Sequence, residues 1–185
     1  MIKDIMSDAE SRMEKAVDAL QRDLGSIRTG RASPSLVERI SVDYYGSSTP
    51  LNQLAGISVP ESRMLVIQPW DRGSMSAIEK AIMKSELGLN PSNDGQVIRI
   101  VIPPLTADRR KQLVKVVHNH VEEGKVAVRN IRRDAMAHVK ELMNEKLIGE
   151  DDERRAEHQV DELAKRFIGE VDKVGKAKEQ EVLEV

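Results

Sequence analysis

From Ile2 to Ile27 the apolar residues Ile2, Met6, Ala9, Met13, Ala16, Leu20, Leu24 and Ile27 follow one another in steps of three or four, which lines one face of an α-helix. The stripe is narrow, as in helices that meet along a coiled-coil-like seam. Gly30, suited to the left-handed position after a helix end, and Pro34 predict the stop. The spacing returns at Leu113, Val117, Val121, Gly124, Val128, Ile131, Ala135, Val139 and Leu142, with Thr106 as N-cap. This second helix is expected to run about 40 residues, roughly 60 Å, with Gly124 costing it about 1 kcal/mol relative to Ala. A break at Ile148-Gly149 leads through Glu150-Asp151-Asp152-Glu153 into a third helix, whose seam is Ala156, Val160, Leu163, Phe167, Val171 and Val174. Three such stripes are buried by packing on one another, which predicts a three-helix bundle.

Between the first two helices the pattern changes. Ile40-Ser41-Val42-Asp43-Tyr44, Gly56-Ile57-Ser58-Val59, Met64-Leu65-Val66-Ile67 and Val97-Ile98-Arg99-Ile100-Val101-Ile102 read as four strands. Ser76-Ala77-Ile78-Glu79 has the form of a capping box, opening a helix that turns Ile78, Ala81 and Ile82 inward and ends near Gly88. Pro103-Pro104 closes the module. The expected fold is therefore α+β: an elongated three-helix bundle from residues 1–30 and 105–185, with a small β/α/β domain, 31–104, inserted. Two connectors, Thr29-Gly30-Arg31 and Pro103-Pro104-Leu105, would join the domains side by side and form a two-segment hinge.

Composition narrows the function. Only Trp70, Phe167, Tyr44 and Tyr45 are aromatic, which argues against binding single strands by stacking successive bases. No cysteine is present, which excludes disulfide scaffolds and thiolate zinc sites. Acids interrupt the first residues and no apolar run is long enough to span a bilayer, so a soluble cytoplasmic protein without membrane attachment is expected. No Gly-rich phosphate loop or dinucleotide fingerprint occurs. His118, His120, His138 and His158 fall on the bundle helices, and His118 and His120 point apart, so no metal site is expected. The run Glu150 to Glu153 lacks a calcium-loop pattern and reads as favourable charge at a helix N-terminus. Residues 31–105 contain neither His nor Cys, which leaves a hydrolase in the module without its usual chemistry. No catalytic residue and no cofactor are expected.

Net charge is −2, from 29 basic and 31 acidic residues, but the distribution is uneven. Residues 106–135 carry eight Lys or Arg against four acids, whereas 136–185 carry nine against fourteen. On the second helix, Lys125, Arg129, Arg132 and Arg133 fall within about 100° of one another beside the apolar seam, with Lys111, Lys115 and Lys140 nearby. Asp134 and Glu141 point away, and Glu122 is the one acid that falls in the same sector. A rigid row of guanidiniums suits the phosphates of RNA, which Arg binds bidentately without any aromatic platform. Arg28 and Arg31 would extend that surface. The stripe alone reads equally well as a solvated face paired with acids on the third helix, and a coiled-coil adaptor that binds proteins through its charged faces stays open beside an RNA binder.

The segments Ile27-Arg28-Thr29-Gly30-Arg31-Ala32-Ser33-Pro34, Tyr44-Tyr45-Gly46, Glu79-Lys80-Ala81-Ile82, Leu87-Gly88-Leu89-Asn90-Pro91, Pro103-Pro104-Leu105-Thr106 and Val128-Arg129-Asn130-Ile131-Arg132-Arg133-Asp134 closely resemble those of bacterial ribosome recycling factors, in order and over essentially the whole chain. The resemblance implies an L-shaped molecule with the domains described above. It implies a monomeric, non-enzymatic translation factor that binds the post-termination ribosome on large-subunit ribosomal RNA. There it would act with elongation factor G and GTP to separate the subunits, which initiation factor three then keeps apart. On matching positions, it makes Arg132 the leading RNA contact, supported by Arg129, Arg133, Arg28 and Arg31.

Overall fold

The computed structural model describes residues 1–184. Four α-helices, α1 (Ile2–Gly25), α2 (Met75–Lys84), α3 (Ala107–Asn144) and α4 (Glu150–Leu183), accompany six strands. The strands are β1 (Ser41–Tyr44), β2 (Ser47–Pro50), β3 (Ala55–Glu61), β4 (Met64–Pro69), β5 (Pro91–Asn93) and β6 (Ile98–Val101). The chain is α+β and divides into two compact units, Met1–Leu24 with Lys115–Glu179, and Gly25–Val114 with the residues from Gln180.

The helical unit follows its seams closely. Met13, Val117, Val128, Val139, Val160, Phe167 and Val171 are buried, and Val17, outside the expected stripe, is buried while Ala16 is only half-buried. Close approach of the helices is set by small residues. Gly124 of α3 is buried where α1 and α4 converge, and a Cβ there would lie 3.4 Å from both Leu20 and Val171. Ion pairs bridge the seams: Arg12 to Asp134 at 3.0 Å between α1 and α3, and Arg166 to Glu10 at 2.7 Å between α4 and α1.

In the second unit, β3, β4, β6 and β5 form an antiparallel sheet in that order. Leu65 of β4 sits opposite Ile100 of β6, and Ile67 opposite Ile98. All four are buried, with Val42, Ile78, Ile82 and Ile102, so the alternation in β4 and β6 points one face into an aliphatic core. The β1–β2 hairpin turns at Tyr45 (φ 50°) and Gly46 (φ 84°), two successive positive φ values that suit the twist of a two-residue hairpin loop.

Several expectations need correction. α1 ends at Gly25 rather than Gly30, and Gly30 is not in the left-handed region. A Cβ on Gly25 would press on the Cβ of Ser35 at 3.2 Å, so the chain turns where glycine lets it pass; Ile27 keeps the helical phase but is buried outside the helix. The Ser76–Glu79 capping box does not form. α2 starts at Met75, after a turn in which the Asp71 carboxylate accepts from Gly73 N and Ser74 Oγ donates to Asp71 O. Glu79 accepts instead from Asn93 Nδ2, and α2 ends at Lys84, before Gly88. Strands β2 and β5 were not expected. β2 reads Ser-Ser-Thr-Pro and β5 Pro-Ser-Asn, without apolar alternation, and both are held by their pairing with β1 and β6.

Candidate nucleic-acid interface

The basic stripe lies on one uninterrupted helix of 38 residues. Its start is capped as expected, Arg109 N donating to Thr106 Oγ1 at 3.1 Å. Arg129, Arg132 and Arg133 are exposed, whereas Lys125 has only 19% of its side chain accessible.

The four cations differ electrostatically. Lys125 Nζ lies 2.8 Å from Asp172 on α4 and 3.8 Å from Glu122. Arg132 Nε donates to Asp161 Oδ1, also on α4, at 2.7 Å. Arg129 and Arg133 have no ion-pair partner among the described residues. With His118 Nε2 3.1 Å from Glu179 Oε2, positions 118, 125 and 132 form a ladder along α3, seven residues between rungs, against the acids of α4. The stripe is thus half satisfied within the fold and half open to a polyanion. Asp161 and Asp172 were not singled out from the sequence; the regular spacing of His118, Lys125 and Arg132 was the signal available.

Arg28 and Arg31 lie in the other unit. Arg31 is exposed, its Nε 3.5 Å from Glu184. Arg28 is half-buried and bridges the two connectors, its Nη2 donating to Pro103 O at 2.5 Å while its buried Nε finds no acceptor among the described residues. Burial, and then the charge of Arg109, hold its guanidinium below the usual arginine range. The connectors are further tied to the β3–β4 turn: Ala32 N donates to Ser62 O and Ile102 N to Arg63 O, each at 2.7 Å. Arg63 Nε returns a bond to Ile102 O. Thr29 is buried and its Oγ1 accepts from Arg31 N at 3.2 Å. Gly30 has open space where a Cβ would stand; Pro103 and Pro104 are exposed and Leu105 is buried.

The other polar clusters are structural. Asp152 accepts from Arg155 and from Gly149 N, which hold its carboxyl below the usual range and close the start of α4. His120 lies near Glu123, while His138 and His158 are exposed. Among the described residues no His, Asp or Glu cluster could hold a metal, and no helix is long and apolar enough to cross a membrane.

A family model described as ribosome recycling factor matches residues 20–183. The chain is 60% identical to the ribosome-recycling factor of Thermomicrobium roseum and 56% identical to that of Syntrophomonas wolfei, in both cases over the whole of each chain. Its fold is similar to a solution structure of the ribosome recycling factor, with a TM-score of 0.77 and 46% identity over 100% of this chain and 98% of the other. It is also similar, at a TM-score of 0.70 and 45% identity over the whole of both chains, to a chain from models of the T. thermophilus ribosome recycling factor and E. coli elongation factor G bound to the E. coli post-termination complex.

Proposed function

This chain belongs to the ribosome recycling factor family, and from that premise we propose that it binds the post-termination ribosome and, with elongation factor G and GTP, promotes its separation into subunits. It is a translation factor and not itself an enzyme; the free energy comes from the partner's GTP. The observation that carries the reading is the end-to-end likeness to a recycling factor bound with elongation factor G on a post-termination complex.

In this reading residues 1–30 and 105–185 form the ribosome-binding domain and 31–104 the inserted domain. Arg132, Arg129 and Arg133 contact phosphates of large-subunit ribosomal RNA. What supports the choice is their exposure on one rigid helix and the absence of ion-pair partners for Arg129 and Arg133 among the described residues. Lys125 contributes less, because its charge is engaged by Asp172 and Glu122. Arg28 serves the connectors more than the RNA, and Arg31 is accessible at their edge. Thr29, Gly30, Arg31, Pro103, Pro104 and Leu105 act as the hinge through which the GTPase's push is transmitted. The factor acts in the cytoplasm as a monomer, and initiation factor three keeps the separated subunits apart.

The test is polysome breakdown by the purified protein with elongation factor G and GTP, scored against each component alone. Breakdown is expected only with all three. Full breakdown without this protein, or none with it, removes the reading. Pull-downs after RNase treatment separate it from an adaptor, whose protein partners would survive loss of RNA.

A further inference from the structure

Among the described residues, Asp161 is the one ion-pair partner of an exposed arginine of the stripe. Its Oδ1 accepts from Arg132 Nε at 2.7 Å, and this is the only hydrogen bond that the Arg132 side chain makes among the described residues. The contact leaves both Nη groups, the end-on fork of the guanidinium, without a protein partner. Both side chains are nearly half accessible, at 45% and 41%, so the pair contributes little to stability and is reachable by a ligand.

We propose that Asp161 is a positioning residue, which holds the Arg132 guanidinium by Nε so that its Nη fork stays presented to one RNA phosphate. The inference rests on the reading of the stripe as the RNA-binding face.

Two opposing effects decide whether the acid helps. A free arginine side chain loses rotamer freedom when it docks, and an arginine already held by Asp161 has lost part of it beforehand. Against this, the carboxylate repels the incoming phosphate. A phosphate on the Nη fork would stand roughly 7 Å from Asp161, close to the Debye length at physiological salt, so repulsion in this water-exposed setting weakens binding by less than about twofold. Prior ordering strengthens it by about three- to tenfold. Ordering wins. Arg129 and Arg133, which have no such anchor, supply charge without direction. Asp172 differs from Asp161 because Lys125 is mostly covered and presents a point charge rather than a fork.

The test is a double-mutant cycle on the full chain, with affinity for purified large ribosomal subunits measured over a range of salt concentrations. Asp161→Ala is expected to weaken binding about three- to tenfold with Arg132 in place, and to change it less than about twofold in the Arg132→Ala background. Asp161→Asn, which keeps an acceptor for Nε, should recover most of the loss. If Arg132→Ala weakens binding but Asp161→Ala leaves it unchanged or tightens it, the acid is only a counter-ion and the inference falls alone. Equal losses in both backgrounds would mean a structural role and would also overturn it. If Arg132→Ala itself leaves affinity and its salt slope unchanged, the stripe reading falls and takes the inference with it.

Discussion

A Cβ added to Gly175 of α4 would fall inside the side chain of Val121 on α3, pressing on its Cγ2. Val121 is β-branched and stiff, so it cannot swing aside as a long side chain would. Glycine is what allows the two helices their separation here. Gly175→Ala should therefore lower stability by about 1–2 kcal/mol, overpacking outweighing the gain in helix propensity. Gly169, exposed on the same helix with open space around it, supplies the control. Gly169→Ala should raise stability by about 1 kcal/mol. Thermal unfolding followed by far-UV circular dichroism checks both, and a stabilised Gly175→Ala would show that α3 and α4 can separate without loss.

The uneven pairing of the stripe predicts a division of labour among its cations. Arg129→Ala and Arg133→Ala should weaken binding to the large subunit and each reduce the salt slope by about one, with stability changed by less than about 0.5 kcal/mol. Lys125→Ala should do the reverse. Losing its contacts to Asp172 and Glu122 should cost about 0.5 kcal/mol of stability while the salt slope hardly moves. Salt-dependent binding and denaturant unfolding on the same three variants measure both quantities.

The β/α unit carries a pH-sensitive knot. Tyr44 and Tyr45 both donate their hydroxyls to Asp71 Oδ2 at 3.1 Å, and Asp71 Oδ1 also accepts from Gly73 N. These bonds hold the Asp71 carboxyl below its usual range and the two phenols above theirs. A lowered acid stabilises the fold above its unfolded pKa, and that contribution is lost as pH falls through the folded value. A raised phenol stabilises below its unfolded pKa, and its contribution is lost as pH rises through the folded value. The knot should therefore loosen below about pH 4 and above about pH 10. Spectrophotometric titration should find both tyrosines ionising later than free phenol, and Asp71→Asn should bring them back.

Arg28 predicts a local effect on the connectors. Its bond to Pro103 O is charge-assisted, and Arg28→Lys should lose it, because a compact ammonium cannot reproduce the planar fork. The expected cost is about 1 kcal/mol. It should appear in hydrogen exchange as faster opening at Ala32 and Ile102, whose amides tie the same connectors to Ser62 and Arg63. Unchanged exchange there would mean that the turn contacts hold the connectors without Arg28.

Elements whose burial is repeated along their own length are legible in the sequence. The seams of α1, α3 and α4, and the alternation in β4 and β6, come from periodicity that no neighbour needs to supply. Elements held by a neighbour are not: β2 has no apolar alternation and exists through its pairing with β1, and the start of α2 is arranged by Asp71 rather than by Ser76. Ile27 misled for a related reason, since an apolar residue in helical phase is buried equally well by a chain that has already left the helix.

The candidate interface divides in the same way. That α3 is one long helix bearing Lys125, Arg129, Arg132 and Arg133 beside its seam follows from the order of residues alone, because helical geometry places residues three and four apart on one face. The glycines that let the helices approach, and the acids of α4 that engage Lys125 and Arg132 but leave Arg129 and Arg133 open, were decided only when distant segments packed. Ion pairing depends on separations of a few ångströms between residues some 30 to 60 positions apart in the chain, and local periodicity carries no information about those distances.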